Sequence, residues 1–337
     1  MKITVAVPMR IDLAGGTLDV YPLYLFEGGG LTLNAAIDVM AQASIETRED
    51  DQIVIVSTDL GLREEHRSLG AMPLGQGLDL ARRAIAYMRP ETGVTVTMES
   101  QAPKGSGLGA SSALLMALLH ALNGLRERDE RLTSPEILDL GANLEAQVIG
   151  IPTGKQDYFP PIWGGVSAMW FDVDGWRVEN LSEKKALVPW LNERVIVTYT
   201  SVPHDSAITN WAMLKRYIER EGDAVARMRD IKAIASSMRE ALAALDHQAF
   251  VKLLDEEWQL RRGLAEGVST PEIEAYMQVA QDAGGDASKV CGAGGGGCMI
   301  TIAEPGRVSK VREALARAGA QIMDASVVSD GLRTVVG

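Results

Sequence analysis

The sequence is organised around PKGSGLGASSALLMALLHAL, residues Pro103–Leu122, where a glycine-rich loop runs directly into an apolar segment of helical length. Glycines let backbone amides crowd around an anion, and the free N–H groups and positive dipole end of a helix N-terminus attract the same charge. Ser111 and Ser112 stand at that helix start, where their hydroxyls can bind phosphate or a metal ion. The pattern favours a triphosphate-binding loop over a flexible turn in which Ser111 only caps the helix.

Two widespread nucleotide motifs fit the chain poorly. The Pro103–Leu122 stretch lacks GxxxxGK[ST], and GIPTGKQ at Gly150–Gln156 has the wrong glycine spacing for a Walker A loop. CGAGGGGC at Cys291–Cys298 formally contains GxGxxG, but a predicted strand follows it, whereas the dinucleotide fingerprint opens a helix. This argues against a dehydrogenase and leaves two readings of the segment: close approach of backbone to a ligand, or a tight hairpin turn.

Length, composition and charge are those of a globular protein. The chain has 337 residues, of which 46% are hydrophobic, and its formal net charge is −12. An acidic balance argues against a nucleic-acid partner, because phosphate contacts need a basic surface. The N-terminus does not resemble a signal peptide and no apolar run is long enough to span a membrane, so we expect a cytoplasmic protein without a membrane partner. The two cysteines predict neither a zinc site nor a disulfide framework.

The order of the predicted elements indicates an α+β fold with two lobes. Helical spacing covers most of Ala207–Ala283, and a helix with Ser134 as N-cap is predicted to end at Gly150. We place the lobes at residues 1–185 and 186–337, with the site between them. The predicted strands are Lys2–Val7, Ala41–Thr47, Gln52–Val56, Val94–Met98, Gly165–Phe171, Arg194–Thr200 and Cys298–Ile302.

Carboxylates and one arginine complete the candidate site. Glu145 falls on the apolar stripe of the helix that ends at Gly150, where it needs a metal ion or a salt bridge to an arginine. Asp157 follows twelve residues later and could accept the proton of an attacking hydroxyl, or could only cap a turn. Arg10 could pair with Asp157, and Asp19 could bind sugar hydroxyls; the alternative for both is a surface ion pair.

Taken in order, these segments resemble the GHMP kinase family, which includes galactokinase, homoserine kinase, mevalonate kinase and phosphomevalonate kinase. Pro103–Ser112 is similar to the family's P-x-x-x-G-L-x-S-S nucleotide loop, Gly292–Gly297 to its C-terminal glycine motif, and Arg10–Asp19 to its first motif. The resemblance spans nearly the whole chain. It implies an N-terminal lobe like ribosomal protein S5 domain 2 and a ferredoxin-like C-terminal lobe.

The resemblance also implies roles for individual residues. ATP would bind the loop amides, Ser111 and Glu145 would hold Mg²⁺, and Asp157 would be the catalytic carboxylate with Arg10 as its partner. The implied nucleotide-binding residues are Pro103, Lys104, Gly105, Ser106, Gly107, Leu108, Gly109, Ala110, Ser111 and Ser112. The implied acceptor-binding residues are Gly16, Asp19, Asp157, His204, Gly294 and Gly295.

Two segments favour the heptose-phosphate kinase and fucokinase branch. RIDLAGGTLD, Arg10–Asp19, resembles the AGGxxD form of these enzymes. TGKQDYFPPIWGG, Thr153–Gly165, resembles the GKQDQ segment of D-glycero-D-manno-heptose 7-phosphate kinases, which phosphorylate the anomeric hydroxyl. Leu18, Tyr158 and His204 depart from that pattern, at positions where threonine, glutamine and arginine are expected. Because arginine suits phosphate best, the acceptor is either a free sugar or another sugar phosphate.

We therefore predict an ATP- and Mg²⁺-dependent sugar kinase that transfers the γ-phosphoryl group to a sugar or sugar-phosphate hydroxyl, with the anomeric one favoured. A galactokinase-like or mevalonate kinase-like enzyme is the alternative within the family, although Asp12 and Asp19 make the first motif too polar for an isoprenoid acceptor. A non-catalytic sugar or ATP sensor is the alternative outside enzymes, but it would be expected to lack Asp157 or Glu145. The oligomeric state stays open, with a homodimer as one option.

Overall fold

The computed structural model describes residues 1–201 and 206–337, and the side chains of 206–208 are also left out of the account below. The strands are β1 (Lys2–Ala14), β2 (Gly30–Thr47), β3 (Ile53–Ser57), β4 (Leu62–His66), β5 (Val94–Ser100), β6 (Val166–Asp172), β7 (Gly175–Asn180), β8 (Val195–Tyr199), β9 (Ala287–Val290), β10 (Cys298–Ile302), β11 (Gln321–Ile322) and β12 (Arg333–Val336). The helices are α1 (Leu23–Phe26), α2 (Asp79–Met88), α3 (Ala110–Gly124), α4 (Ser134–Ile149), α5 (Phe159–Trp163), α6 (Leu187–Asn192), α7 (Ser206–Ile218), α8 (Ala224–Ala244), α9 (His247–Arg261), α10 (Pro271–Asp282) and α11 (Val308–Arg317).

The first sheet is built on the long strand β2. Strand order along the sheet is β12-β1-β2-β5-β3-β4. The C-terminal half of β2 pairs with β5, and its N-terminal half pairs with β6, which continues to β7. Only the C-terminal half alternates between buried and more exposed residues. The preceding eight residues are all buried, so they carry no period-two signal, which is why the sequence pattern predicted only Ala41–Thr47.

Helix α3 lies in the core against β1 and β2. Ten of its residues are buried, because nearly its whole circumference is apolar or small. The predicted glycine-rich loop ends at Gly109, the residue that precedes this helix. A loop attached to a helix that is buried on all sides has little freedom to move, so the fold holds the candidate phosphate site on a rigid support.

Helix α4 begins one residue earlier than the sequence predicted. The N-cap is Thr133 and not Ser134: the hydroxyl of Thr133 accepts the Glu136 N–H, and the Glu136 carboxylate accepts the Thr133 N–H in return. This reciprocal capping box satisfies two otherwise free N–H groups, whereas Ser134 capping would satisfy one. The predicted end at Gly150 is confirmed, with that glycine in the left-handed conformation.

The second sheet is four-stranded and antiparallel, in the order β11-β8-β10-β9. Helices α10 and α11 pack against it around a core that includes Ile196 and Met299. This order is that of a ferredoxin-like sheet, so the predicted α+β fold with two lobes is confirmed. The last strand, β12, lies by sequence in the second predicted lobe, 186–337. It nevertheless pairs with β1 of the first sheet, in the lobe predicted at 1–185. Within the described ranges, no helix is long and apolar enough to cross a membrane.

Candidate active site

A cleft of about 730 Å³ opens where the loop before α3 meets the loop before β10. Most of the predicted nucleotide-binding residues line it, together with Arg10, Asp19, Glu145 and Asp157. Two residues of the nucleotide loop do not: Pro103 is not among the lining residues, and Leu108 is fully buried, with its carbonyl accepting the Arg10 N–H. The lining residues of the nucleotide loop are Lys104, Gly105, Ser106, Gly107, Gly109, Ala110, Ser111 and Ser112.

The two glycine-rich loops touch each other through their backbones. The Cys298 N–H donates to the Ser106 carbonyl at 2.6 Å. A Cβ added to Gly297 would lie 2.6 Å from that same carbonyl oxygen, so no larger residue fits without moving one of the loops. Gly297 therefore serves contact between the two loops, which is neither the approach to a ligand nor the tight hairpin turn that the sequence predicted.

Gly294 and Gly295 lie outside the cleft lining, although the family resemblance implied that they bind the acceptor. The Gly295 N–H donates to the Val268 carbonyl at 2.6 Å, and a Cβ on Gly294 would meet the Val268 side chain at the same distance. Gly292 and Ala293 line the cleft instead. The glycine motif therefore reaches the site through its first two residues.

Arg10 and Asp157 form the central ion pair of the cleft. The Arg10 Nε–Asp157 Oδ1 distance is 2.7 Å and the Nη2–Oδ1 distance is 2.6 Å. A further nitrogen of the same guanidinium, Nη1, donates to the Gly107 carbonyl. The side chain of Arg10 is only 3% exposed while that of Asp157 is 26% exposed, so this is not the surface ion pair of the alternative reading. Burial alone would lower the pKa of Arg10, but Asp157 and Asp12 outweigh it and raise that pKa.

Glu145 is a buried carboxylate that is bound by hydroxyl groups. Its Oε2 accepts from Ser112 Oγ at 2.8 Å and from the Tyr158 hydroxyl. Burial raises the pKa of Glu145 above its usual value, although the hydroxyls of Tyr158, Ser112 and Ser111 oppose the shift. Among the described residues no arginine or lysine pairs with it, which contradicts the salt-bridge alternative.

Asp19 lines the cleft beside Gln156. Its Oδ2 accepts the Gln156 N–H at 2.9 Å, while Oδ1 is buried without a hydrogen-bond partner in the described chain. A Cβ on Gly154 would lie 2.0 Å from Oδ2, so only glycine leaves room for this carboxylate. Burial raises the pKa of Asp19 to about 6, opposed by the Gln156 N–H and supported by the charge of Asp157.

A buried ionic network joins β1, α9 and β9. Lys289 Nζ is 2.9 Å from Asp12 Oδ2 and 3.0 Å from Glu257 Oε2, and all three side chains are fully buried. Arg261 pairs with Glu257 at 2.6 Å and donates to the Gly16 carbonyl at 2.9 Å. The network therefore joins the first motif on β1 to the C-terminal lobe.

This network changes the roles of two residues in the first motif. Gly16 is buried and is not among the residues that line the cleft. Asp12 also accepts the Gly292 N–H at 2.6 Å and holds that loop in place. Burial would raise the pKa of Asp12, but Lys289, Arg10 and Arg261 outweigh it and lower the pKa to about 2. Asp12 is committed to structure and gives no argument against an isoprenoid acceptor.

The positions that depart from the heptose-kinase pattern lie in different parts of the chain's structure. Leu18 is fully buried in a second core with Trp258 and does not face the cleft. Tyr158 contacts Glu145. His204 lies outside the described residues. Lys155, in the same segment, pairs with Asp139 at 2.7 Å.

Sequence reasoning missed several residues that hold the site. Asn34 on β2 donates to the Gln156 carbonyl at 3.0 Å and so supports the turn that carries Asp157. Gln156, Thr17 and Asn210 line the cleft. Thr17 has a φ of 77°, a rare conformation for a β-branched residue. The sequence signal that could have identified such a residue is a polar side chain in an otherwise apolar strand, as at Asn34.

The donor groups suit magnesium and a triphosphate. Serine hydroxyls and a carboxylate are the hard oxygen ligands that Mg²⁺ takes, usually alongside phosphate oxygens and waters. Within the described ranges, no group of three or more His, Cys, Asp or Glu side chains could hold a metal alone. A site that depends on the nucleotide for most of its ligands is consistent with both observations.

Comparison with known proteins identifies the family to which the chain is similar. Residues 79–165 match the GHMP kinase N-terminal domain and residues 238–321 match the GHMP kinase C-terminal domain. The chain is 28% identical to the D-glycero-alpha-D-manno-heptose 7-phosphate kinase of Campylobacter jejuni, over 97% of each chain. It is also 28% identical to the mevalonate kinase of Thermococcus onnurineus, over 99% of this chain and 98% of the other.

Solved structures show the same relationship. A D-glycero-D-manno-heptose 1-phosphate kinase from Bacteroides thetaiotaomicron superposes with a TM-score of 0.81 at 25% identity, covering 99% of both chains. A galactokinase from Lactococcus lactis shares the fold, with a TM-score of 0.76 at 19% identity over 98% of this chain and 95% of the other. The protein described here belongs to the GHMP kinase family, whose members use ATP as phosphoryl donor, and it is a phosphotransferase.

Proposed function

We propose that this protein is an ATP- and Mg²⁺-dependent sugar kinase that phosphorylates a heptose phosphate or a similar sugar, at the anomeric hydroxyl. The observation that carries the proposal is the position of one guanidinium. Arg10 binds the candidate base Asp157 and the Gly107 carbonyl of the phosphate loop at the same time. It therefore fixes the acceptor's base relative to the site for the donor phosphates, which is the main requirement of phosphoryl transfer.

In the proposed mechanism the acceptor hydroxyl attacks the γ-phosphorus of ATP. Its proton passes to Asp157, the new oxygen–phosphorus bond forms, and the bond to the ADP oxygen breaks. Amides of the loop at residues 105–110 and the N-terminus of α3 bind the phosphates. Ser111 and Glu145 would hold Mg²⁺, which would supply positive charge to the phosphate oxygens. Asp19 would accept hydrogen bonds from sugar hydroxyls, as its unpartnered Oδ1 permits.

The choice of a sugar rests on Asp19 and on the relatives. A buried carboxylate with one free oxygen suits a hydroxyl-rich acceptor, and the Campylobacter jejuni relative is a heptose 7-phosphate kinase. The mevalonate kinase of Thermococcus onnurineus is equally similar in identity, so mevalonate belongs in the same test.

The test is ADP release with MgATP across free and 7-phosphorylated heptose, fucose, galactose, mannose and mevalonate, with NMR of the product to locate the phosphate. We expect turnover on a heptose and a loss of kcat of about 10³-fold in Asp157→Asn, because general base and orientation are lost together. Asp139→Asn, which changes a carboxylate paired with Lys155, is the matched control and should keep its activity. Turnover on mevalonate alone would overturn the sugar assignment.

A further inference from the structure

Tyr158 directly follows the candidate catalytic residue, and its side chain points to a different carboxylate. Residues Gln156–Tyr158 form a single 3₁₀ turn, and the Tyr158 N–H donates to the Lys155 carbonyl at 3.2 Å. From this turn Asp157 reaches Arg10, while the Tyr158 hydroxyl reaches Glu145 on α4. One turn therefore carries one of the carboxylates that the proposed reaction needs, Asp157, and contacts the other, Glu145.

The ring of Tyr158 is buried against α4. Its residue is 0% exposed, and a Cβ added to Gly141 would lie 3.5 Å from the ring carbon Cε1. Gly141 and Glu145 are four residues apart on α4 and so share a face of that helix. A separation of 3.5 Å is ordinary van der Waals contact, so the ring packs against α4 on the face that carries Glu145. The hydroxyl thus has a fixed location.

Tyr158 and Ser112 both donate to the same oxygen of Glu145. Oε2 accepts the Tyr158 hydroxyl and Ser112 Oγ, and Ser112 follows directly after Ser111 at the start of α3. Two donors on one oxygen fix the plane of the carboxylate and direct the other oxygen, Oε1, away from them. Residues that orient a metal ligand in this way commonly change metal affinity by 10–100-fold when they are replaced.

We propose that Tyr158 is a positioning residue that orients Glu145 so that Oε1 binds the metal ion of the metal–nucleotide complex. The inference rests on the proposed function, in which Glu145 is a metal ligand. It adds that the tyrosine hydroxyl sets how strongly the metal strengthens nucleotide binding. Its effect is exerted through Glu145 and not through contact with the substrates.

The chain contains a matched control for this interaction. The hydroxyl of Tyr217 donates to Glu27 Oε1, and neither residue lines the cleft. The Tyr217 residue is 6% exposed and the Glu27 side chain 3% exposed. Tyr217→Phe and Glu27→Gln thus remove a buried tyrosine–glutamate bond at a distance from the site, where Glu27 also pairs with Arg229 at 3.5 Å.

The experiment compares the affinity for a non-hydrolysable ATP analogue with Mg²⁺ and with EDTA, by calorimetry, and takes the ratio. We expect Tyr158→Phe to lower this ratio about tenfold relative to the unmodified protein, with little change in EDTA, and Tyr217→Phe to leave it unchanged. Thermal unfolding of the two tyrosine variants accounts for any general loss of stability.

The variant Glu145→Gln distinguishes a failure of the role of Tyr158 from a failure of the metal-ligand assignment of Glu145. A ratio that falls in Glu145→Gln but stays at the unmodified value in Tyr158→Phe would overturn the role of Tyr158 alone. A ratio unchanged in Glu145→Gln would overturn the metal-ligand assignment, and with it the inference. A fall in Tyr217→Phe equal to that in Tyr158→Phe would show that the effect is not specific to the site.

Discussion

Asp12 and Glu145 are both buried carboxylates, and they differ in their neighbours. Asp12 is paired with Lys289 and accepts the Gly292 N–H, and its pKa is lowered to about 2. Glu145 accepts only from hydroxyl groups among the described residues, and burial raises its pKa. A buried charge that already has its cations stabilises the structure, whereas one without a cation is available to bind one. This difference makes Glu145, and not Asp12, the candidate for binding a cation.

The largest effect is expected from replacing Asp12, the carboxylate that already has cationic partners. In Asp12→Asn, the buried Lys289 loses one of its two anionic partners, so the free energy of unfolding should fall by about 3 kcal/mol. Urea unfolding at pH 7.5 measures it. Asp50→Asn, which removes a surface partner of Arg48, is the control and should change little. A loss in Asp12→Asn no greater than in the control would show that the network does not stabilise the fold.

Glu145→Gln should raise the stability of the metal-free protein and lower its activity. Without a buried charge to desolvate, the metal-free protein should unfold at a higher temperature at pH 8. The value of kcat should fall about 10²-fold, equivalent to about 2.7 kcal/mol of transition-state stabilisation, because an oxygen ligand of the metal is lost. Glu27→Gln is the control, since the Glu27 side chain is also buried but pairs with Arg229 and lies outside the cleft. Equal losses of kcat in both variants would contradict a special role for Glu145.

Asp19 lies between these extremes, because one of its oxygens is satisfied and the other is not. Its pKa is raised from 3.8 to about 6, so the folded protein binds more protons than the unfolded chain between these values. Stability due to this group therefore falls as pH rises from about 4 to about 6, and the cost is complete above that range.

Asp19→Asn should consequently stabilise the protein at pH 8 by on the order of 2 kcal/mol, with a gain that shrinks below pH 6. It should raise the KM for the acceptor without changing nucleotide affinity. Urea unfolding at pH 5 and pH 8, with Asp139→Asn as the partly exposed control, measures the stability difference. A gain independent of pH would exclude a raised carboxyl pKa as its cause.

Local patterns predicted the elements whose signals lie within a few residues. The phosphate loop before α3 and the end of α4 at Gly150 follow from glycine, proline and apolar spacing alone. Where a strand is buried on both faces, as in the first half of β2, alternation disappears and the prediction stopped short. The return of β12 to β1 joins residues more than 300 positions apart, which no local pattern encodes.

The sequence by itself determined which residues could carry the chemistry: it named Arg10, Asp19, Glu145 and Asp157, all of which line the cleft. Tertiary structure alone decided what each of them does, because the state of a carboxylate depends on the charges and donors around it in space. Asp12 and Asp19 are seven residues apart on one segment, yet Lys289 reaches only the first. Tyr158 could not be connected to Glu145 until the 3₁₀ turn and α4 were packed together.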